Sequence, residues 1–145
     1  MKIIQFGEGN FLRAFVEWVV QQMNEKLDFD ASVIIVKPRA GGSLETLRAQ
    51  NCQYHVNLQG LIGGKTINSI ERITCVSEAL NPYEDYTSFL ALAAMPDVRF
   101  VISNTTEAGI TFDPTCRLAD TPAASYPAKL TQLLYQRFRA FDGDP

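Results

Sequence analysis

The stretch Ile3-Ile4-Gln5-Phe6-Gly7-Glu8-Gly9-Asn10-Phe11-Leu12-Arg13 decides how the rest of the chain is understood. A short apolar run, Met1 to Phe6, stops at two glycines, and from Phe11 the hydrophobic spacing becomes helical. Phe11, Phe15, Val19 and Met23 recur four apart, widened by Leu12, Val16 and Val20, while Arg13, Glu17, Gln21 and Asn24 fall on the opposite face. The spacing predicts a strand, a glycine turn and an amphipathic helix whose apolar stripe packs on a sheet. Such a turn suits anions, because glycines let the backbone approach a pyrophosphate and the N–H groups that open the helix point at it. The match to G-x-G-x-x-G is partial, since Leu12 stands where the third glycine belongs. The plain alternative is a turn that joins strand to helix and holds no ligand.

Ser32 to Lys37 follows as a continuous β-branched run, Val33-Ile34-Ile35-Val36. A strand buried on both faces, as in a parallel sheet, has this composition. Strand, turn, helix and strand make a βαβ unit, for which a right-handed crossover is expected. The end of its second strand discriminates between dinucleotides. An acid there bonds the adenosine ribose hydroxyls, and a base accommodates a 2′-phosphate. This chain carries Lys37-Pro38-Arg39 and no acid, which tilts toward NADP unless both charges are solvated loop residues.

Beyond a loop at Pro38 to Gly42, Ser43 is placed to cap a short helix reaching about Gln50. Two β-like runs, Gln53 to Leu58 and Lys65 to Cys75, flank Gln59 to Gly64 and predict an antiparallel hairpin off the parallel progression. Gly60 to Thr66 imitates a phosphate-binding P-loop, but it is one residue short before Lys65 and strand-like residues follow, so a hairpin turn is expected. Asn81-Pro82 opens a helix running to about Ala94, and Val98 to Ser103 is a second buried strand. At its carboxyl end stands the polar cluster Ser103-Asn104-Thr105-Thr106-Glu107-Ala108-Gly109, where open α/β sheets bind ligands. Its hydroxyls and amide suit a ribose or nicotinamide, and the alternative is a polar turn of capping side chains. Ser125 and Pro127 start a last helix with the stripe Leu130, Leu133, Leu134, Phe138 and Phe141. The fold class expected is α/β: a Rossmann-like, doubly wound, mostly parallel sheet with an antiparallel hairpin insertion.

Composition narrows the chemistry. The chain has 145 residues, 46% hydrophobic and 20% charged, which fits one globular domain of soluble character. A net charge of −3 argues against a nucleic-acid footprint, and the longest apolar run, Phe89 to Met95, is too short to span a bilayer. No signal-peptide core precedes the first strand, and the scattered Cys52, Cys75 and Cys116 suit a reduced, cytoplasmic protein with inert thiols. The lone His55 lies in a β-like run with nothing nearby to make a triad or metal site, and Glu78, Glu84 and Asp85 are expected as solvated or capping acids.

The residues Ile4-Gln5-Phe6-Gly7-Glu8-Gly9-Asn10-Phe11-Leu12-Arg13-Ala14 resemble the glycine turn of the polyol-specific long-chain dehydrogenases, the mannitol dehydrogenase family. That family carries a shortened fingerprint with Asn and Phe after the second glycine. Gln50 to Tyr54 and Ser103 to Gly109 also resemble family blocks, while Asn81 to Tyr86 and Tyr126 to Thr131 are similar to its tagaturonate reductase (altronate oxidoreductase) branch. The resemblance implies NAD as cofactor and a small sugar-acid substrate, D-tagaturonate or D-altronate, with neither nucleic acid nor membrane as partner. It implies cofactor contacts at Gly7, Gly9, Asn10, Phe11, Lys37, Ser103, Asn104, Thr105, Thr106 and Glu107, with Lys37 meeting ribose hydroxyls. The family's catalytic lysine and its Asn and His partners lie in a later helical domain, so no catalytic residue is expected here, and neither Lys65 nor Lys129 is a candidate. Residues 1–145 would then be the N-terminal cofactor domain, incomplete at its C-terminal end, inactive alone and prone to self-association. The alternatives are a non-catalytic nucleotide-sensing module, or a dehydrogenase of the same family acting on another polyol or sugar acid. A flavodoxin-like domain is disfavoured, since its phosphate loop is rich in Ser and Thr and Gly7 to Arg13 has neither.

Overall fold

The computed structural model describes residues 1–142, so of the closing residues 142–145 only Asp142 is covered. In chain order the strands are β1 (Lys2–Phe6), β2 (Ser32–Val36), β3 (Tyr54–Ile62), β4 (Lys65–Ile73), β5 (Val76–Leu80) and β6 (Val98–Ser103). The helices are α1 (Glu17–Leu27), α2 (Glu45–Ala49), α3 (Tyr86–Ala91) and α4 (Tyr126–Ala140). Four strands form a parallel sheet in the order β5-β2-β1-β6. Ile3, Val33, Ile35 and Val76 pack with Val20 of α1 and Leu47 of α2 on one face. Ile4, Phe6, Ile34 and Val36 pack with Phe89 of α3 and Leu133 of α4 on the other. Alternation along each strand thus feeds two cores, and the expected doubly wound sheet is present.

The strand β5 has no counterpart among the sequence expectations. A register shift between Val33 and Ile34 breaks its pairing with β2, so Val76, Ala79 and Leu80 never form an unbroken apolar run. The hairpin is present but longer than expected. β3 and β4 pair through to Ile62 and Lys65, leaving only Gly63 and Gly64 as the turn, with φ of +56° and +78°. Both central residues of a tight two-residue hairpin need that left-handed region, which glycine adopts without strain. Ser43 Oγ accepts from the Glu45 N–H at the start of α2. Pro82 stands ahead of α3, not in its first turn. The helix begins four residues later, where the Asp85 carboxylate accepts from the Ser88 N–H at 2.8 Å.

The first helix corrects a further expectation. Helical structure runs from 10 to 27, and over Leu12–Val16 it widens into a π-turn that ends with the Glu17 N–H bonded to the Leu12 carbonyl. Residues on either side of a π-turn do not share one 3.6-residue stripe. Phe11 and Phe15 are exposed, whereas Leu12, Glu17, Val20 and Gln21 are buried. The polar pair goes inside because it satisfies groups already there. Gln21 Oε1 accepts from the backbone N–H groups of Thr74 (2.9 Å) and Cys75 (3.0 Å) at the end of the hairpin.

β6 is also not the buried strand expected. It pairs with β1 alone among the described residues, and Arg99, Phe100 and Val101 are exposed. On α4, capped by Ser125 as expected, Leu133 is buried but Leu134 and Phe138 are exposed. Gln132 is buried instead, donating to the carbonyls of Leu118 (3.1 Å) and Asp120 (2.7 Å) and pinning the preceding loop.

Candidate functional site

A cleft of about 600 Å³ lies at the carboxyl ends of β1 and β6. Gly7, Glu8 and Gly9 form one wall, Ser103 to Thr106 with Ala108 and Gly109 the other, and Pro38, Arg39 and the start of α4 close the ends. Two segments roughly a hundred residues apart in sequence therefore meet, as the polar cluster's position implied.

Three glycines shape the walls differently. Gly7 has φ +125°, and a Cβ there would lie 3.0 Å from Leu12 Cδ1 and 3.5 Å from Asn104 Oδ1. Leu12, which occupies the place of the missing third glycine, thus closes the floor against Gly7. At Gly109 a Cβ would fall 2.2 Å from Thr105 Oγ1, so that glycine lets the β6 loop fold back on itself. A Cβ at Gly9 would meet nothing within 4 Å. Gly9 thus leaves open space at the mouth of a helical segment whose first N–H groups lack intrahelical acceptors, an arrangement that suits an anion.

On the opposite wall, Ser103 Oγ accepts from the Tyr126 hydroxyl at 2.9 Å, and the Tyr126 ring meets Phe6 edge-on at 5.2 Å. This contact ties β6 to α4. Asn104, Thr105 and Thr106 remain exposed, their side chains free to meet a ligand.

Not every candidate residue reaches the cleft. Asn10 and Phe11 do not line it with their side chains: Asn10 Oδ1 accepts from Arg13 Nη2 at 2.6 Å, and Phe11 packs on Phe15 at 5.4 Å. Glu107 begins an exposed 3-10 turn outside it. The solvated reading of Lys37 is overturned. Lys37 is fully buried, its Nζ lies against Gly42, and it has no hydrogen-bond partner among the described residues. Of the basic pair, Arg39 is the one that lines the cleft. Gly109 was expected only as part of the polar cluster, not as a contact residue, and the α4 start was not placed at the cleft. The helix cap at Ser125 was visible, but nothing in one sequence says which cleft a helix start will face.

The remaining titratable groups are structural. Lys129 is buried, its Nζ donates to the carbonyls of Ala124 (2.8 Å) and Ser125 (3.5 Å) over the Tyr83 ring, and burial pulls it down to about 8. Burial, with the nearby Glu17, pushes the Cys75 thiol up to about 12. His55 is exposed on β3 opposite Arg72. Glu84 pairs with Arg48 at 2.7 Å on the surface, and Asp85 caps α3. Among the described residues, no group of three or more metal-ligating side chains is present, and no helix is long and apolar enough to cross a membrane.

Known proteins share this fold. The profile of the mannitol dehydrogenase Rossmann domain matches residues 1–144. The chain is 60% identical over 143 residues to an altronate oxidoreductase of Phocaeicola vulgatus, covering 99% of this chain and 30% of that protein. It is 44% identical to the altronate oxidoreductase of Bacillus subtilis, with the same coverage. It thus spans about a third of the length of its curated relatives. Among solved structures, a Pseudomonas fluorescens mannitol 2-dehydrogenase in ternary complex with NAD and D-mannitol superposes with a TM-score of 0.79 at 20% identity, covering 97% of this chain and 31% of that one. A substrate-free D-sorbitol dehydrogenase gives 0.64 at 26% identity, covering 78% of this chain and 23% of that one. With the family profile running over nearly every residue, the chain belongs to the mannitol dehydrogenase family and forms its Rossmann domain.

Proposed function

We propose that this chain is the NAD-binding, N-terminal part of an oxidoreductase that interconverts D-tagaturonate and D-altronate. The observation that carries the reading is the meeting of the Gly7–Gly9 turn and the Ser103–Thr106 cluster in one cleft. The pyrophosphate lies before Gly9, received by main-chain N–H groups of Gly9, Asn10 and Phe11, with Asn10 and Phe11 contributing backbone rather than side chain. Ser103, Asn104, Thr105 and Thr106 meet the nicotinamide side, with Glu107 at its margin. Pro38 and Arg39 bound the adenosine end, and Lys37, buried against Gly42, does not line the cleft. The altronate oxidoreductase relatives support altronate as one member of the pair.

When bound, the nicotinamide exchanges a hydride with the sugar-acid carbonyl. Reduction also needs an acid within hydrogen-bond reach of the new alkoxide. Asn, Ser and Thr side chains dominate the β6 wall and none is such an acid; since the chain spans about 30% of its curated relatives, we propose that the acid lies in the part of them it does not cover. A cytoplasmic location suits this chemistry.

The test is steady-state kinetics on the intact protein and NADH titration of the 145-residue chain. The intact protein reduces tagaturonate with NADH in preference to NADPH, and the chain alone binds NADH without turnover. Binding without any sugar-acid or polyol turnover by the intact protein would instead favour a nucleotide-sensing module. Turnover of another polyol alone would move the substrate within the family.

A further inference from the structure

Behind the glycine turn lies a set of buried polar side chains that neither packing nor ligand contact accounts for. Gln5 points from β1 toward α1, and its Nε2 donates to the Gly7 carbonyl (2.9 Å) and to Glu17 Oε1 (2.6 Å). Both partners are acceptors, so the amide nitrogen is fixed in place and Gln5 Oε1 is left without a partner. Glu17 Oε2 makes a short hydrogen bond with the Tyr54 hydroxyl of β3. That hydroxyl also lies 2.8 Å from the Arg13 carbonyl in the π-turn. Gln5 and Glu17 are fully buried.

The proton count is informative. Tyr54 has one hydroxyl hydrogen and two oxygen neighbours. Were Glu17 ionised, both neighbours would be pure acceptors, and one close oxygen pair would have no hydrogen between them. A protonated Glu17 removes the conflict: it donates to Tyr54 Oη, and Tyr54 donates to the Arg13 carbonyl. Burial pushes the Glu17 carboxyl up in the same sense, against lesser opposing pulls from its hydrogen bonds and from Arg13. The groups facing Glu17 are few. Arg13, in the π-turn, lies 5.6 Å from the Tyr54 ring centroid, and the Cys75 thiol donates to the Glu17 carbonyl at 3.3 Å. The Cys52 thiol before β3 is also near enough to feel its charge, and β1 presents only neutral Gln5.

We propose that Gln5, Glu17 and Tyr54 are positioning residues for the glycine turn, with Glu17 kept as a neutral carboxylic acid that relays hydrogen bonds from the Gly7 carbonyl to the Arg13 carbonyl. The relay fixes both ends of the turn on which the cofactor's pyrophosphate rests. This inference rests on the cofactor reading above. Ionisation of Glu17 breaks the relay, so cofactor affinity falls as pH rises.

The test is calorimetric titration of NADH into the intact protein and its Glu17→Gln, Glu17→Ala and Tyr54→Phe variants, from mildly acidic to alkaline pH. Glutamine reproduces the neutral acid's donor and acceptor, so Glu17→Gln binds like the wild type near neutrality and keeps its affinity at alkaline pH, where the wild type weakens. Glu17→Ala, losing both links, raises the Kd about tenfold, and Tyr54→Phe raises it a few-fold. Circular dichroism establishes that each variant folds. If Glu17→Ala does not fold, Tyr54→Phe and the contrast in pH profile between wild type and Glu17→Gln decide. Wild-type affinity in Tyr54→Phe with parallel pH profiles for wild type and Glu17→Gln overturns this inference alone. Absence of NADH binding by the wild type overturns the cofactor reading and this inference with it.

Discussion

Strands β2 and β6 flank β1 on opposite sides, both parallel to it and both written in β-branched and aromatic residues. Their surroundings differ sharply. Ile35 in β2 is 0% exposed, covered by α1 and α2, while Phe100 and Val101 in β6 are 50% and 36% exposed. An apolar run therefore states that a strand gains by being covered; it does not state that a neighbour covers it. The two strands also divide the labour. β2 builds the scaffold, and β6 carries the polar cluster that forms one wall of the cleft.

Substitution in the two strands sharpens that contrast most strongly. Ile35→Ala leaves a cavity between sheet and helices and should cost about 2–5 kcal/mol of stability. Val101→Ala, about a third in solvent already, should stay within about 0.5 kcal/mol. Urea unfolding of both variants checks this, and equal losses would mean that β6 is as well covered as β2. A smaller effect is expected from the exposed side of β6 and α4. Phe100, Leu134 and Phe138 present apolar surface beside an open strand edge, the kind of surface that promotes association. Sedimentation of the 145-residue chain should show concentration-dependent association, weakened by Phe100→Lys. A monomer at every concentration would show that the edge is tolerated uncovered. The smallest effect belongs to the cleft wall. Thr106→Ala removes one hydrogen bond to the proposed cofactor, about 0.5–1.5 kcal/mol of NADH binding and little stability.

Much of the fold was legible from local signals. The glycine turn, the β2 run and the polar cluster after β6 each announce themselves within a few residues, and the parallel sheet follows from their order. What escaped depended on contacts far apart in sequence. β5 was hidden because a register shift interrupts its alternation with Ser77 and Glu78. Glu17 and Gln21 look like a solvated face until the hairpin's N–H groups and Tyr54 are brought against them. Lys37 sits at the strand end where a cofactor contact is expected, yet it is buried with its Nζ against Gly42, and Arg39 is the one at the cleft. The two cleft walls were foreseen separately, and the part of α4 that joins them was not, because helix caps carry no address.

The function proposed above requires that the turn at Gly9 receive a pyrophosphate. Gly9 suits a direct test, because a Cβ there meets no atom within 4 Å beyond its chain neighbours and its backbone is not left-handed, so a variant should fold. Gly7, with φ +125° and Leu12 at 3.0 Å, offers no such separation. Steady-state kinetics of Gly9→Val in the intact protein should show the apparent constant for NADH rising far more than that for the sugar acid, with unfolding unchanged. An unchanged NADH constant would contradict the account and leave the turn as a structural joint between β1 and its helix.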